Sequence, residues 1–194
     1  YTPVVGIESF REKIAQRYCT EFGDDISADN VIVTSGAQNA LFVASMCLTE
    51  KDDEVIVLQP MYVTYEATVQ ASGATVVPVV LDEPNGFRLN ADNLKAAITP
   101  KTKVILFATP SNPTGISLNQ SELKVIADLA IEHDLWVVSD EVYSDLVFES
   151  EFFHIASLPG MAERTITIGS LSKSYAMTGW RIGWALGPKE FIDN

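Results

Sequence analysis

The sequence predicts a three-layer α/β/α fold in which helices cover both faces of a seven-stranded, mainly parallel sheet. Short runs rich in valine and isoleucine recur along the chain, and segments with apolar residues at helical spacing separate most of them. Strands that alternate with helices are joined by right-handed crossovers, which produce parallel pairing and cover both sheet faces. With 194 residues, the chain is long enough to form one domain with a sizeable core.

The individual elements follow from the spacing of apolar residues. Strands are predicted at 30–35, 53–60, 74–81, 102–110, 135–140, 164–170 and 181–187. Helices are predicted at 7–22, 37–48, 62–73, 90–98 and 119–134. Because no helical pattern separates the last two strands, the seventh strand can run antiparallel to the others.

The overall charge is strongly acidic. Thirteen basic and 26 acidic residues leave a net charge of −13. This balance argues against nucleic acid or an anionic membrane as the main partner, since both attract basic surfaces. It leaves room for a local anion site. No apolar run is long enough to span a bilayer, and no signal peptide is visible.

Cysteine and histidine are rare. Cys19 and Cys47 lie in apolar, helix-like stretches, which predicts buried free thiols and a reducing compartment such as the cytoplasm. His133 and His154 are isolated in sequence, so we expect structural roles for them and no metal site.

Polar and aromatic loops follow the first, second, fourth, fifth and sixth predicted strands. They are "TSGAQNA", "QPMYVTY", "ATPSNPTG", "SDEVYSD" and "SLSKS". The carboxyl ends of parallel strands lie along one edge of the sheet, and open α/β folds bind ligands there. We therefore expect these loops to converge on one binding site.

Two of these loops have the chemistry of a phosphate site. "TSGAQNA" is a glycine turn that opens a helix, whose free N–H groups and dipole attract an anion. The alternative is a plain helix cap by Thr34 or Ser35. Arg181 could clamp the same phosphate and Ser170 could donate its hydroxyl, whereas an arginine taken alone more often forms a surface ion pair. Dinucleotide and P-loop glycine motifs are absent.

Other side chains in the loops suit an aromatic ring. Asp140 ends an apolar strand, where a carboxylate needs either a capping role or a cationic partner such as a ring nitrogen. Tyr143 could donate its hydroxyl to the same ligand. Asn112 is either a further donor or part of an Asn-Pro turn. Tyr62 offers a flat face for stacking, or is a core tyrosine.

Lys173 completes the set. It is either an exposed lysine or an amine that forms a Schiff base. Pyridoxal 5′-phosphate has groups complementary to this whole set, which consists of a phosphate-binding turn, a stacking ring, a carboxylate, hydroxyl and amide donors, and an amine. The joint pattern therefore predicts a pyridoxal-phosphate site.

Three motifs also carry a resemblance to a known family. "SNPTG", "SDEVY" and "SLSKSYAMTGWRIGW" occur in this order, and with them nearly the whole chain resembles the large domain of class I/II, fold-type I pyridoxal-phosphate aminotransferases. The resemblance implies that Lys173 forms the internal aldimine with the cofactor. It implies that Asp140 pairs with the pyridine nitrogen, and that Tyr143 and Asn112 donate to the phenolic oxygen.

The same resemblance implies the remaining contacts to the cofactor. Tyr62 matches the aromatic residue that stacks on the ring, although many relatives have tryptophan there. Ala37 and Gln38 match the backbone phosphate donors, and Ser170 and Arg181 match the side-chain donors.

Features outside the cofactor site are also implied by the family. Tyr1, in "YTPVVGI", matches a tyrosine that reaches the phosphate bound by the partner subunit, so a homodimer is expected. Residues 1–194 would be the cofactor-binding large domain of a longer protein. The N-terminal segment and the C-terminal small domain, which holds the arginine that clamps the substrate carboxylate, would lie outside it.

The expected reaction is transamination between an amino acid and a 2-oxo acid. "PMYVTYEA", "HDLWVVSDEVYSDL" and "ASLPGMAERT" are similar to the arginine–pyruvate transaminase subfamily. Two alternatives remain open at this stage. One is another reaction on the same cofactor, such as a C–S β-lyase. The other is a non-catalytic, cofactor-binding effector domain of a transcription regulator, which a winged-helix segment upstream of Tyr1 would support.

Overall fold

A single mixed sheet organises the molecule. The computed structural model describes residues 1–22, 26–148 and 151–193. Within these residues the sheet has seven strands in the order β1-β7-β6-β5-β4-β2-β3. They are β1 (Val31–Thr34), β2 (Glu54–Gln59), β3 (Thr75–Val80), β4 (Thr102–Ala108), β5 (Trp136–Asp140), β6 (Thr165–Ser170) and β7 (Gly183–Leu186). Each strand lies inside a predicted segment, so the prediction of seven strands is confirmed.

Parallel pairing dominates the sheet. The β2–β3, β2–β4, β4–β5 and β5–β6 pairs are parallel. Only β7 is reversed, since it pairs antiparallel with both β1 and β6. The antiparallel seventh strand is therefore confirmed. Its amino end lies at the edge where the other strands have their carboxyl ends.

Helices connect most of the strands. They are α1 (Glu8–Phe22), α2 (Ala37–Leu48), α3 (Tyr65–Gln70), α4 (Ala91–Ala97), α5 (Gln120–Glu132), α6 (Leu171–Ser174) and α7 (Lys189–Asp193). Helix α3 is shorter than the predicted 62–73. It begins only after Thr64, and a turn that ends at Gly73, where φ is +89°, follows its last residue. Sequence periodicity did not predict α6, which is only one turn long.

The core has a layer on each face of the sheet. Successive strand residues point to opposite faces, so Ile56 and Ile105 pack with α4 and α5, while their neighbours Val55 and Val104 pack with α2 and α3. A smaller cluster lies between α1 and the β1–β7 pair. The predicted three-layer α/β/α architecture is therefore confirmed.

The two cysteines differ in exposure. Cys19 is half-buried, and its thiol donates to the carbonyl of Ile26 at 2.9 Å. Cys47 is exposed, so the prediction of a buried thiol is wrong for it. Cys47 lies near the carboxyl end of α2, which ends at Leu48, beyond the buried residues Ala40, Leu41 and Ala44. Among the described residues, no helix has the length and apolar character needed to cross a bilayer.

A tight contact at the centre of the sheet predicts a stability effect. A Cβ built on Gly169 would lie 2.3 Å from Cε2 of the buried Trp184 ring. That ring is held by a 3.2 Å hydrogen bond from its Nε1 to the Tyr18 hydroxyl. We expect Gly169→Ala to lower the free energy of unfolding by about 1–3 kcal/mol, because the strand and the ring must separate.

Chemical denaturation checks this expectation. Gly179→Ala is the matched control, since nothing lies within 4 Å of a Cβ at that position. Equal unfolding free energies for the two variants would contradict the steric account.

Candidate active site

A cavity opens at the carboxyl edge of the sheet. All of the predicted site residues except Tyr1 line it, namely Ala37, Gln38, Tyr62, Asn112, Asp140, Tyr143, Ser170, Lys173 and Arg181. They come from the segments after β1, β2, β4, β5 and β6 and from the segment before β7. The expected convergence of the loops is therefore confirmed. Tyr1 is exposed and lies outside the lining residues.

One end of the cavity is formed by the start of α2. Gly36 precedes the helix with φ of +83°, a conformation that favours glycine. Within the described ranges, the backbone N–H groups of Ala37 and Gln38 have no hydrogen-bond acceptor. The Gln38 side chain turns towards α3, where it donates to Thr68 at 2.7 Å and accepts from Thr64 at 2.5 Å. The helix therefore offers free backbone donors, which suits an anion.

Arg181 lies directly over this glycine turn. A Cβ built on Gly36 would be 2.4 Å from Nη2 of Arg181. The guanidinium donates through Nη1 to the carbonyl of Thr178 at 2.9 Å. Over the described part of the chain, no carboxylate forms an ion pair with Arg181, so the surface ion-pair alternative is wrong for the isolated chain. Its remaining N–H groups add positive charge to the α2 terminus.

Ser170 already has two partners in this structure. Its hydroxyl caps α6 by accepting from the backbone N–H of Ser172 at 2.9 Å, and it donates to the carbonyl of Ile182 at 3.1 Å. The capping role was not predicted. As a phosphate donor, the hydroxyl would have to turn away from Ile182.

Asp140 lies at the inner end of the cavity. Its carboxylate is buried, with 6% of the residue exposed. Oδ2 accepts a 2.6 Å hydrogen bond from the Tyr65 hydroxyl, and Oδ1 accepts from the backbone N–H of Val142 at 3.3 Å. Burial raises the pKa of Asp140 from 3.8 to about 6, and the negative charge of Glu141 adds to this. The two hydrogen bonds oppose the rise by favouring the ionised form.

Sequence reasoning missed Tyr65. The tyrosine lies in the cavity wall but is 1% exposed, and it belongs to the apolar cluster beneath α2 and α3. Tyr62 is 39% exposed and packs edge-on against Tyr65, with ring centroids 6.0 Å apart. The alternative that Tyr62 is a core tyrosine is therefore wrong, and the core tyrosine of this segment is Tyr65. The available signal was the "YVTY" spacing, which places both rings on one side of the chain.

Three loops bring Asn112, Tyr143 and Lys173 together. Nδ2 of Asn112 donates to the Tyr143 hydroxyl at 3.4 Å. Nζ of Lys173 lies 5.4 Å from the centroid of the Tyr143 ring. Lys173 is exposed and, within the residues that the structure describes, has no carboxylate in ion-pair range. The site therefore contains an accessible amine close to hydroxyl and amide donors.

The family is shown by comparison with known proteins. The family model described as "Aminotransferase class I and II" matches residues 1–194. The chain belongs to this family, whose members depend on pyridoxal phosphate.

Individual relatives agree with this assignment. Arginine–pyruvate transaminase AruH of Pseudomonas aeruginosa is 50% identical over 188 residues, which are 97% of this chain and 48% of that protein. Thermus thermophilus aspartate aminotransferase with maleate matches 100% of this chain and 50% of its own, with a TM-score of 0.96 and 40% identity. The aromatic aminotransferase from Pyrococcus horikoshii matches 100% of this chain and 52% of its own chain, with a TM-score of 0.96 and 38% identity. The chain thus spans about half the length of these proteins.

The raised pKa of Asp140 predicts how stability depends on pH. A carboxyl whose pKa rises from 3.8 to about 6 on folding binds its proton more tightly in the folded state. The cofactor-free protein should therefore lose up to about 3 kcal/mol of stability from this group as pH rises from 4 to 7. The loss should level off above the folded-state pKa.

Urea denaturation across this pH range measures the effect. Asp140→Asn is the matched control, because the amide does not titrate. We expect the difference in unfolding free energy between the two proteins to change with pH in the stated direction. A constant difference would show that burial does not perturb Asp140.

Proposed function

We propose that residues 1–194 are the cofactor-binding large domain of a pyridoxal-phosphate aminotransferase that transfers an amino group between an amino acid and a 2-oxo acid. The observation that carries the proposal is the meeting of Lys173, the buried Asp140 and the α2 terminus with Arg181 around one cavity. Family membership and the half-length match to full aminotransferases support it.

The residues present fit the cofactor. The free N–H groups of Ala37 and Gln38, with Arg181 above them, would hold its phosphate. Asp140 would accept from the ring nitrogen, and Tyr62 would lie against the ring. The bound cofactor supplies an electron sink that stabilises negative charge on the substrate Cα.

The protein's own groups would provide attachment and proton transfer. Nζ of Lys173 would hold the cofactor through its aldehyde carbon, with the aldehyde oxygen leaving as water, and as a free amine it would carry a proton from the substrate Cα. The Tyr143 hydroxyl and Nδ2 of Asn112 would donate to the ring oxygen. Asp140, when ionised, would keep the ring nitrogen protonated.

The relatives reported above favour amino transfer over the two alternatives. They carry transaminase names, whereas a C–S β-lyase or a regulator's effector domain would share only the cofactor site. The 50% identity to an arginine–pyruvate transaminase makes arginine the first amino donor to assay, and pyruvate the first acceptor.

We also propose a homodimer in the cytoplasm. The exposed Tyr1 does not line the cavity of its own chain, which supports its donation to the site of a second copy. Free Cys19 and Cys47 are compatible with a reducing compartment.

Labelling tests the central assignment. Borohydride added to the holoenzyme should fix the cofactor on Lys173, as found by mass spectrometry of its peptides. Lys173→Ala should remove the label and reduce turnover roughly a thousandfold or more, since both the nucleophile and the proton carrier are lost. Lys124→Ala is the control, because Lys124 is exposed and paired with Asp128. A label on Lys124 or Lys189 would overturn the assignment.

A second expectation concerns the division between domains. Residues 1–194 expressed alone should transaminate at least about a hundredfold more slowly than the full-length protein, because the substrate carboxylate would lack its clamp and the reacting bond would be misplaced.

The arginines of this chain support that expectation. Arg17, Arg88 and Arg164 are paired with carboxylates, and Arg11 donates to the carbonyl of Ala28. Arg181 is assigned to the phosphate. Both proteins are to be assayed with arginine, aspartate and alanine against pyruvate and 2-oxoglutarate. Comparable rates would show that this chain already contains its substrate site.

A further inference from the structure

The hydrogen bond between Tyr65 and Asp140 joins two distant parts of the chain inside the site. The residues are 75 positions apart, at the start of α3 and at the end of β5, and the O···O distance is 2.6 Å. Both are buried, and both line the cavity. The Tyr65 ring is packed into the apolar cluster with Leu41 and Val69, which leaves its hydroxyl little freedom to move.

The Tyr65 hydroxyl can act only as a donor towards Asp140. Burial raises the pKa of Tyr65 well above 10, and the charge of Asp140 raises it further. The phenol therefore keeps its proton throughout the physiological range. An ionised carboxylate has no proton to give, so the short bond exists in one direction only.

This bond opposes the burial of Asp140. Burial is the largest influence and raises the pKa of the carboxyl, and the Tyr65 hydrogen bond is the strongest influence in the other direction; with all neighbours present the pKa is about 6. The remaining neighbours are weaker: the Val142 N–H and the Lys173 cation favour the ionised form, and Glu141 disfavours it. Without the Tyr65 phenol, the pKa of Asp140 would rise further and a larger fraction of the carboxyl would be protonated.

The bond also sets the orientation of the carboxylate. Tyr65 holds Oδ2, and the backbone N–H of Val142 holds Oδ1, so each oxygen has one fixed partner. A carboxylate has about four acceptor positions. The hydrogen bonds from Tyr65 and Val142 therefore fix the direction in which the remaining acceptor positions of the Asp140 carboxylate point.

We infer that Tyr65 is a positioning residue of this site, whose hydroxyl keeps Asp140 ionised and oriented for the ring nitrogen of the cofactor. The inference rests on the proposed function. It assigns to Tyr65 a role in cofactor affinity and in its pH dependence, in addition to its place in the core.

The test compares Tyr65→Phe with wild type in the full-length protein. The dissociation constant of pyridoxal phosphate is measured by fluorescence titration from pH 5 to pH 9. We expect affinity at pH 7 to fall on the order of tenfold or more, since a hydrogen bond to a charged group is lost. The pH at which affinity reaches half its limiting value should also move upward, because Asp140 now ionises at higher pH.

A cofactor-free measurement makes the result independent of the reaction. Infrared titration follows the carbonyl band of protonated Asp140, assigned by its loss in Asp140→Asn. The midpoint should rise in Tyr65→Phe. Tyr175→Phe is the matched control, because Tyr175 is exposed and lies outside the cavity lining. It should leave both the affinity profile and the midpoint unchanged.

The outcomes separate this inference from the proposed function. If wild type binds pyridoxal phosphate and Tyr65→Phe shows the same profile and midpoint, the role of Tyr65 is wrong while the function stands. If wild type binds no pyridoxal phosphate, the proposed function fails. If Tyr65→Phe does not fold, a variant with 3-fluorotyrosine at position 65 replaces it in the test, because this residue keeps both the ring and the hydroxyl. Its more acidic phenol should lower the Asp140 midpoint, and an unchanged midpoint would overturn the inference.

Discussion

The reversed course of β7 is the constraint on which the site depends. Its first residue, Gly183, pairs with the last residue of β1, Thr34, and with the last residue of β6, Ser170. The segments that follow β1 and β6 therefore leave the sheet on either side of one glycine. A Cβ on Gly183 would lie 2.4 Å from the backbone nitrogen of Ala37, so only glycine lets α2 begin so close to β7. Arg181, two residues earlier, then lies over the α2 terminus.

The two adjacent carboxylates at the end of β5 have separate partners. Because successive strand residues face opposite ways, Asp140 meets Tyr65 on the cavity side, whereas Glu141 meets His154 at 2.6 Å on the other. Burial acts to lower the pKa of His154, but the hydrogen bond and charge of Glu141 outweigh it and the pKa is raised. A protonated His154 offsets the charge of Glu141, which limits the repulsion felt by Asp140.

Hydrophobic spacing predicted the strands, because burial and alternation are local properties of the chain. The lack of a helical pattern before β7 allowed its reversal, and the polar loops after the strands predicted the edge at which Lys173 and Arg181 line one cavity. Hydrophobic spacing did not predict Tyr65 as the partner of Asp140. That contact depends on how α3 packs against α2 and β3, which brings the Tyr65 hydroxyl to the end of β5. The two residues are 75 positions apart, and no local pattern of the sequence predicts a contact between them. The capping role of Ser170 is a local contact with the N–H of Ser172, and hydrophobic spacing did not reveal it because α6 is only one turn long. The second bond of Ser170, to the carbonyl of Ile182, depends on the return of the chain towards β7.

The chain as a whole is negatively charged, whereas the cavity is lined by the cationic Arg181 and Lys173. The distance between these charges and a bound anion decides which of them the anion experiences more strongly. A net charge of −13 disfavours the approach of a phosphate, but interactions between exposed charges are screened beyond about 8 Å at physiological salt. Arg181, Lys173 and the free N–H groups of α2 all line the cavity itself. Their attraction acts within that distance, where the screened charge of the outer surface is weak. An acidic protein can therefore hold an anionic ligand, provided that the cationic groups converge at the ligand, as they do along this edge of the sheet.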